Sequence, residues 1–498
     1  MFLPSHAERT LPPRMARRWW SCSLLAAIGL LIACSIVLRP IDHDEGQYVG
    51  AIALMRHGWP YRDFAYLQTP LQPLLLAPLS GVPAGWLLVA TRVTNGCFAL
   101  TTVALLLLTL NGRVRAGNAG IAVLALASTE AFLFAASLAR NDTLPMMLLA
   151  GAILALLRGI DRGKLACFAI GGFLLGLAVS TKISAILMAG GAGVFLLIKV
   201  QRLGCRSLSA FAAGLTLGLL PTIVMAAFAP VQFRFDVFAY SLDAPQQWWS
   251  SIGQAAVLEP GHRILHLIAL STMGCVFVAL ATAAFDRRGG DDRLLLDLLI
   301  VSGLVAAYLP EPAYVQYLVP LLPPLFVRLA LALDSFVPAA RRLVIACSIV
   351  SCLGGLIHTA GYVLHARVQG SPLRQALGEG QQVAAIAGGG SVVTLSPERV
   401  AGSDTDLDPR FVTGPFLFRT YGALSADALR YGYSPNWSRT EQALNVRPPA
   451  VILVGGEATP TLPHPRGLDA TLTAWAESHH YRAMSVQQRF TAFVRRSG

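Results

Sequence analysis

Charge is what this sequence has least of. Only 13% of its 498 residues are Asp, Glu, Lys or Arg, against about a quarter in an average soluble chain, while 54% are hydrophobic. That deficit excludes a conventional soluble domain. Acidic residues are the scarcer kind, 27 against 39 Lys and Arg, for a formal net charge of +12. The eight cysteines lie in apolar stretches, apart from Cys205 in a polar connection. With none in an outer loop or the tail, neither a structural disulfide nor a thiolate metal site is expected. Internal repeats are missing too, as is any pair of glycine-broken helices in matching halves, which argues against an inverted-repeat transporter.

What is present is a series of long apolar runs. Spanning the hydrocarbon layer takes about 20 apolar residues per helix. Eleven spans are expected near 19–38, 85–110, 117–136, 144–158, 165–180, 183–198, 208–228, 264–284, 294–309, 318–335 and 342–362. Leu31-Ile32-Ala33-Cys34 resembles a lipoprotein cleavage box, but the ten runs that follow favour an uncleaved anchor. With the N-terminus inside, the inner connections carry the basic surplus, from Arg14, Arg17 and Arg18 through Arg113, Arg158, Lys199 and Arg287 to Arg341 and Arg342. That is the positive-inside pattern. It orients the chain in a plasma (inner) membrane and faces anionic lipid, and it does not point to nucleic acid.

This topology leaves long outer loops at about 39–83 and 230–263 and an outer tail. The second loop is rich in aromatics, including Phe233, Phe235, Tyr240, Trp248 and Trp249. Such rings usually form an interfacial belt, and lining a pocket is the alternative. Residues 1–365 read as the membrane domain. In the tail, 366–498, apolar runs such as Val392–Leu395 and Val451–Val454 alternate with a helical pattern at Leu468–Tyr481 and a strand at Phe490–Val494. A small α/β domain is expected there. The polar stretch from Ala401 to Arg410, with Asp404, Asp406 and Asp408, reads as a solvated loop.

The residues able to carry chemistry cluster in the outer segments. The first loop opens Asp42-His43-Asp44-Glu45-Gly46-Gln47-Tyr48. Tyr48, Ile52 and Met55 share one helical face, so a short amphipathic helix on the membrane surface is expected, stopped by Gly58 and Pro60. A helix cap would account for one acid, not for three within four residues. Ala139-Arg140-Asn141-Asp142 sits in a second outer connection, and Lys182 interrupts two apolar runs that leave almost no loop between them. A continuous helix over 165–198 would be about 50 Å long, too long for the bilayer, so a break with Lys182 at the outer tip is expected. Snorkelling for Lys182, and neutralisation of Arg140 by Asp142, are the plain alternatives to anion binding. Arg328 stands inside a span, where helix pairing or lipid contact is the expected role.

The ordered set Asp44, Glu45, Gly58, Pro60, Tyr61, Asp63, Phe64, Thr69, Pro70 and Leu71 resembles the membrane glycosyltransferases of the GT-C fold. That group includes the protein O-mannosyltransferases, the aminoarabinose transferase acting on lipid A, and related lipopolysaccharide transferases. Asp142 and the Tyr317-Leu318-Val319-Pro320 stretch match further motifs of the group. The resemblance covers about residues 20–360. It implies an all-helical membrane domain of about eleven spans with a C-terminal extracytoplasmic α/β domain. It also implies inverting transfer of a sugar from a polyprenyl-phosphate donor to a lipid, glycan or protein acceptor on the outer side. Asp44 would be the base, with Glu45 a second catalytic or orienting residue. Asp63 and Asp142 would contact substrate, and Arg140 and Lys182 the donor phosphate. Where the group often has Arg or His before the tyrosine, this chain has Gln316, which leaves Gln316 and Tyr317 as hydrogen-bonding candidates. Some members hold a divalent ion and others do not; His43, His57 and Asp63 are the residues able to lend ligands, and their spacing assigns no metal. A flippase of lipid-linked glycans and a non-catalytic scaffold are the rival readings. Sugar and acceptor stay open.

Overall fold

All eleven apolar runs fold as helices or broken helices in the computed structural model, which describes residues 14–420, 437–458, 467–487 and 489–496. The chain runs through α1 (Arg14–Leu38), crosses its first long loop on α2 (Glu45–Leu54), and continues through α3 (Trp86–Leu110), α4 (Glu130–Ser137), α5 (Thr143–Arg162) and α6 (Leu165–Thr181). By length and apolarity five helices can cross a membrane, or eight segments if each bent pair is one span. The bent pairs are Ala116–Ala127 with α4 (66°), Cys205–Gly218 with Leu220–Phe228 (45°), and Pro260–Ser271 with Val276–Phe285 (96°). The two runs flanking Lys182 are shorter apolar helices, and Lys182 itself is extended, breaking the chain there. The protein is therefore multi-pass.

Local chemistry explains how these elements are aimed. Thr129, in an extended conformation, accepts a hydrogen bond from the Phe132 N–H and so restarts α4 after the bend. Gly172 and Gly176 on α6 face Gly214 and Gly218 on Cys205–Gly218. A methyl group on Gly172 would lie 2.0 Å from the Phe211 carbonyl oxygen, and one on Gly218 2.2 Å from that of Phe173. Only glycine allows backbones this close, the small-residue packing typical of membrane helices. It fixes the end of α6 on which Lys182 sits. Arg328 pairs with Asp286 (2.6 Å) and Asp297 (2.9 Å), the helix-pairing role expected of it.

The tail forms a five-stranded sheet of order β2-β1-β3-β5-β4, with β1 Ser391–Thr394, β2 Asp406–Leu407, β3 Val451–Val454, β4 Arg482–Val486 and β5 Phe490–Val494. β1 runs parallel to β2 and β3, whereas β5 is antiparallel to β3 and β4. Side chains alternate across a strand. Val392, Val451 and Leu453 accordingly join the core shared with α2 and the membrane helices, while Val393, Ile452 and Val454 turn to a second core with Phe411, Leu444 and Trp475. The sheet is thus seated on the first long loop.

Three expectations change as a result. All ten residues of α2 are buried, so this helix is enclosed by protein and does not lie on lipid. The polar stretch 401–410 is a docking strip: Arg56 donates to the carbonyls of Ser403 (2.8 Å) and Gly402 (3.0 Å), and Asp404 accepts from the Ala84 N–H at 2.7 Å. Aromatics of the second long loop also turn inward. Phe233 packs edge-on against Tyr61, and the Tyr240 hydroxyl donates to the Phe416 carbonyl at 2.9 Å.

Candidate active site

The site begins with a buried arginine. Arg92 on α3 and Glu45 at the start of α2 are both fully buried and joined by two hydrogen bonds of 2.8 and 2.5 Å. Arg92 also donates to the carbonyls of Ile36 (3.0 Å), Arg39 (3.1 Å) and Pro40 (3.1 Å) at the end of α1. Glu45 in turn accepts from the N–H groups of Ala139 (2.6 Å) and Asp42 (3.0 Å). Both of its oxygens are occupied, which ties the acid-rich loop to the connection after α4. Of the two roles expected for Glu45, catalytic or orienting, these bonds match the orienting one.

The same connection is clamped from below. The Asn95 amide donates to the carbonyls of Leu138 (2.7 Å) and Arg140 (2.6 Å), and Gln72 donates to the Arg140 carbonyl at 3.0 Å. Arg140, thus fixed, sends its side chain into the acids. Its Nη1 binds Asp44 and, at 3.0 Å, Asp42; its Nε binds Asp142 at 3.2 Å. Lys182 completes the cluster at 2.5 Å from Asp142, with its ammonium 5.5 Å from the centre of the Tyr317 ring. Arg140 and Asp142 are buried; the side chains of Asp42 and Asp44 keep 20% and 21% of their surface open.

Burial alone would push all three carboxyls up. Arg140, assisted by His43, more than reverses this for Asp44, and Lys182 with Arg140 does so for Asp142, so both sit below the usual carboxylate range. For Asp42 burial dominates and its carboxyl is raised. Asp44 spends no side-chain bond on capping α2, so its oxygens serve the cluster. His43, half-exposed, brings Nε2 within 3.2 Å of Asp44 and Nδ1 within 3.6 Å of Asp42. Asp42, His43 and Asp44 each place one donor atom within 4.8 Å of the others, a set that fits a divalent ion.

Asp44, Arg140, Asp142 and Lys182, read from the sequence as site residues, therefore meet, and Tyr317 lies under Lys182. Gln316 is buried on the neighbouring turn, with no hydrogen bond to the cluster among the described residues. Asp63 is not in the cluster. It binds its neighbour Arg62 and the Trp59 N–H at 2.7 Å, which organises its own turn. Exposed His57 is likewise not in the metal-fitting set. Sequence reasoning passed over Arg92, whose signal was a charge inside an apolar run, and counted Asp42 in the acid cluster without giving it a role.

Two spaces open onto this cluster. A groove reaches it through Asp142 and Lys182, with walls of Met146, Leu149, Leu175, Ala178, Met188 and Val319. A wider polar cavity reaches it through His43, beneath the tail.

The fold is that of the GT-C glycosyltransferases. Chain-length similarity is seen to ArnT from Cupriavidus metallidurans in the apo state, with a TM-score of 0.60 and 15% identity over 96% of this chain and 98% of that one. The same protein bound to undecaprenyl phosphate gives a TM-score of 0.61 and 14% identity over 95% and 97%. The apo Archaeoglobus fulgidus oligosaccharyltransferase gives 0.51 and 13% over 88% and 70%. The family model described as dolichyl-phosphate-mannose-protein mannosyltransferase matches residues 84–228, a stretch that contains Arg92, Arg140, Asp142 and Lys182. No curated protein matches the chain in sequence.

Proposed function

We propose that this protein is an inverting glycosyltransferase that moves a sugar from a polyprenyl-phosphate donor to a hydroxyl of a lipid, glycan or protein acceptor on the outer side of the membrane. One observation carries the reading. The ion cluster of Asp44, Arg140, Asp142 and Lys182 borders, through Asp142 and Lys182, a narrow apolar crevice between membrane helices. A polyprenyl chain suits such walls, and its phosphate would meet the two cations. That ArnT is a structural neighbour bound to undecaprenyl phosphate supports the same reading.

In the proposed reaction the acceptor oxygen bonds to the anomeric carbon as the bond from that carbon to the phosphate oxygen breaks. The hydroxyl proton passes to Asp44, and the polyprenyl phosphate leaves with the electron pair, its charge met by Arg140 and Lys182. Asp44 is ionised at neutral pH and so free to take a proton. A lowered pKa, hence a weak base, suits a group that acts late, when the attacking hydroxyl has become acidic through bonding to carbon. A divalent ion held by Asp42, His43 and Asp44 would add positive charge beside the phosphate.

The test is Asp44→Asn in proteoliposomes supplied with polyprenyl-phosphate sugar. Loss of a general base should lower transfer by about 10²–10⁴-fold, with unfolding temperature close to wild type because Asn can still accept from Arg140. Full activity in the variant removes Asp44 as base. A wild-type protein that neither binds polyprenyl phosphate nor transfers sugar removes the reading altogether. The proposed sidedness requires that a reporter fused after Val400 be active only in its exported form.

A further inference from the structure

The groove accounts for the donor, and the polar cavity is left. Its volume is about 310 Å³, and it is lined by His43 and Ile41 of the first outer loop, Trp248 of the second, and Arg419, Glu457 and Arg489 of the tail. It meets the ion cluster at His43, 3.2 Å from Asp44, whereas the groove meets it at Asp142 and Lys182. A ligand in the cavity would therefore approach Asp44 without crossing the donor's path.

We propose that this cavity is the acceptor subsite and that it takes a saccharide bearing one acidic group. The proposal rests on the glycosyl-transfer reading and deepens it. The charges in the wall set the class. Arg419 gives one nitrogen to both oxygens of Glu457, 2.8 Å each, so that pair cancels. Arg489 has no carboxylate partner among the described residues; its guanidinium lies 5.6 Å from the Phe490 ring centre. One cation is thus left to meet one anion, as phosphate or carboxylate. Trp248, 5.4 Å from the Arg419 guanidinium, offers a ring face against which the C–H side of a sugar can lie. The rim is preorganised, because Asp469 accepts from the N–H groups of Gly455 and Glu457 at 2.8 Å each. With no long apolar wall, the cavity suits a hydrophilic head.

The test uses the full chain in nanodiscs and saturation-transfer NMR, which detects millimolar binding. The probes are glucose 1-phosphate, glucuronic acid, glucose and inorganic phosphate. The two acidic sugars should bind and displace each other, with glucose weaker. Arg489 is exposed, so Arg489→Gln should fold normally and weaken both acidic sugars by about tenfold, leaving glucose and undecaprenyl phosphate binding unchanged. Trp248→Ala should weaken all three sugars. Equal binding of glucose and the acidic sugars, or no effect of Arg489→Gln, overturns the proposal. Inorganic phosphate competing as well as glucose 1-phosphate would refute saccharide recognition. Failure of the wild type to bind undecaprenyl phosphate would count against the transfer reading instead, so the two failures are separable.

Discussion

The Arg92–Glu45 pair allows a decisive separation between chemistry and architecture. Both side chains are fully buried, and Arg92 makes five hydrogen bonds, two to Glu45 and three to the end of α1. Arg92→Met deletes all of them and leaves Glu45 as an uncompensated buried charge. Breaking such a pair typically costs about 3–5 kcal/mol. In Glu45→Gln the amide group must turn one N–H₂ toward the Arg92 guanidinium or the Ala139 N–H, so it loses at least one acceptor and should cost about 1–3 kcal/mol. Thermal unfolding in detergent reads these losses as lower midpoints for both variants, with transfer falling in parallel as the acid loop loses its anchor. The double variant Arg92→Met/Glu45→Leu should lose less stability than the sum of its parts, because no orphaned charge remains. A Glu45→Gln protein with a wild-type midpoint and no transfer would refute this reasoning and return Glu45 to the chemistry. A wild-type midpoint for Arg92→Met would refute the buried pair itself.

Gly176→Leu should lower the unfolding midpoint and transfer together, since a methyl group there would already lie 2.3 Å from the Leu215 carbonyl oxygen; normal stability would show that the two backbones are not in contact. Glu398, buried beside Gly46 of α2, has its carboxyl pushed up to about 7 from the ordinary 4.5 by burial, against the lowering effect of Arg399. The folded state therefore binds this proton more tightly, and stability should fall as pH rises from 4.5 through 7, by about 3 kcal/mol at about 1.36 kcal/mol per unit. Glu398→Gln should flatten that part of the stability curve, and parallel curves for the two proteins would refute the assignment.

The site residues that sequence reasoning reached were those whose position alone was telling. Asp44, Arg140 and Asp142 stand in connections between apolar runs, and Lys182 stands where an overlong apolar stretch had to break. What it missed depended on partners far away in the chain. Glu45 reads as an acid like its neighbours until Arg92, 47 residues on, is seen to hold it. Asp63 stands in a motif that pointed to substrate, and the ion pair it makes is with the residue beside it. The helix expected at α2 is there, but one buried on all sides has no face left for lipid. β3 shows the same limit. Four apolar residues in a row predict a strand buried on both faces, and only the pairing with β1 and β5 reveals that one of those faces is the membrane domain's own core. The cavity under the tail was beyond reach for that reason, since its walls come from three separated segments.

A final consequence follows from how completely the cluster is paired. Arg140 is held by Asp42, Asp44 and Asp142, and Lys182 by Asp142, so an incoming donor phosphate must compete with carboxylates for its cations. Asp44 is its principal rival at Arg140 Nη1, and the most open of the carboxylates bound there together with Asp42. On the proposed reaction this competition is useful. The phosphate draws Arg140 away at the moment the donor arrives, Asp44 loses the cation that holds its pKa down, and it becomes a stronger base only once there is a sugar to attack. Asp44→Asn should then bind undecaprenyl phosphate more tightly than the wild type even as it loses transfer, because a neutral amide competes less well for Arg140 than a carboxylate does. Replacing a charged partner by a neutral one weakens a hydrogen bond by about 1 kcal/mol, so a gain of about fivefold in affinity is expected. Measured by titration into detergent-solubilised protein, unchanged affinity would show that Arg140 and the phosphate do not meet. Weaker affinity would show that Asp44 instead helps to hold the donor, through a bound cation, and the sequence of events would have to be redrawn around that ion.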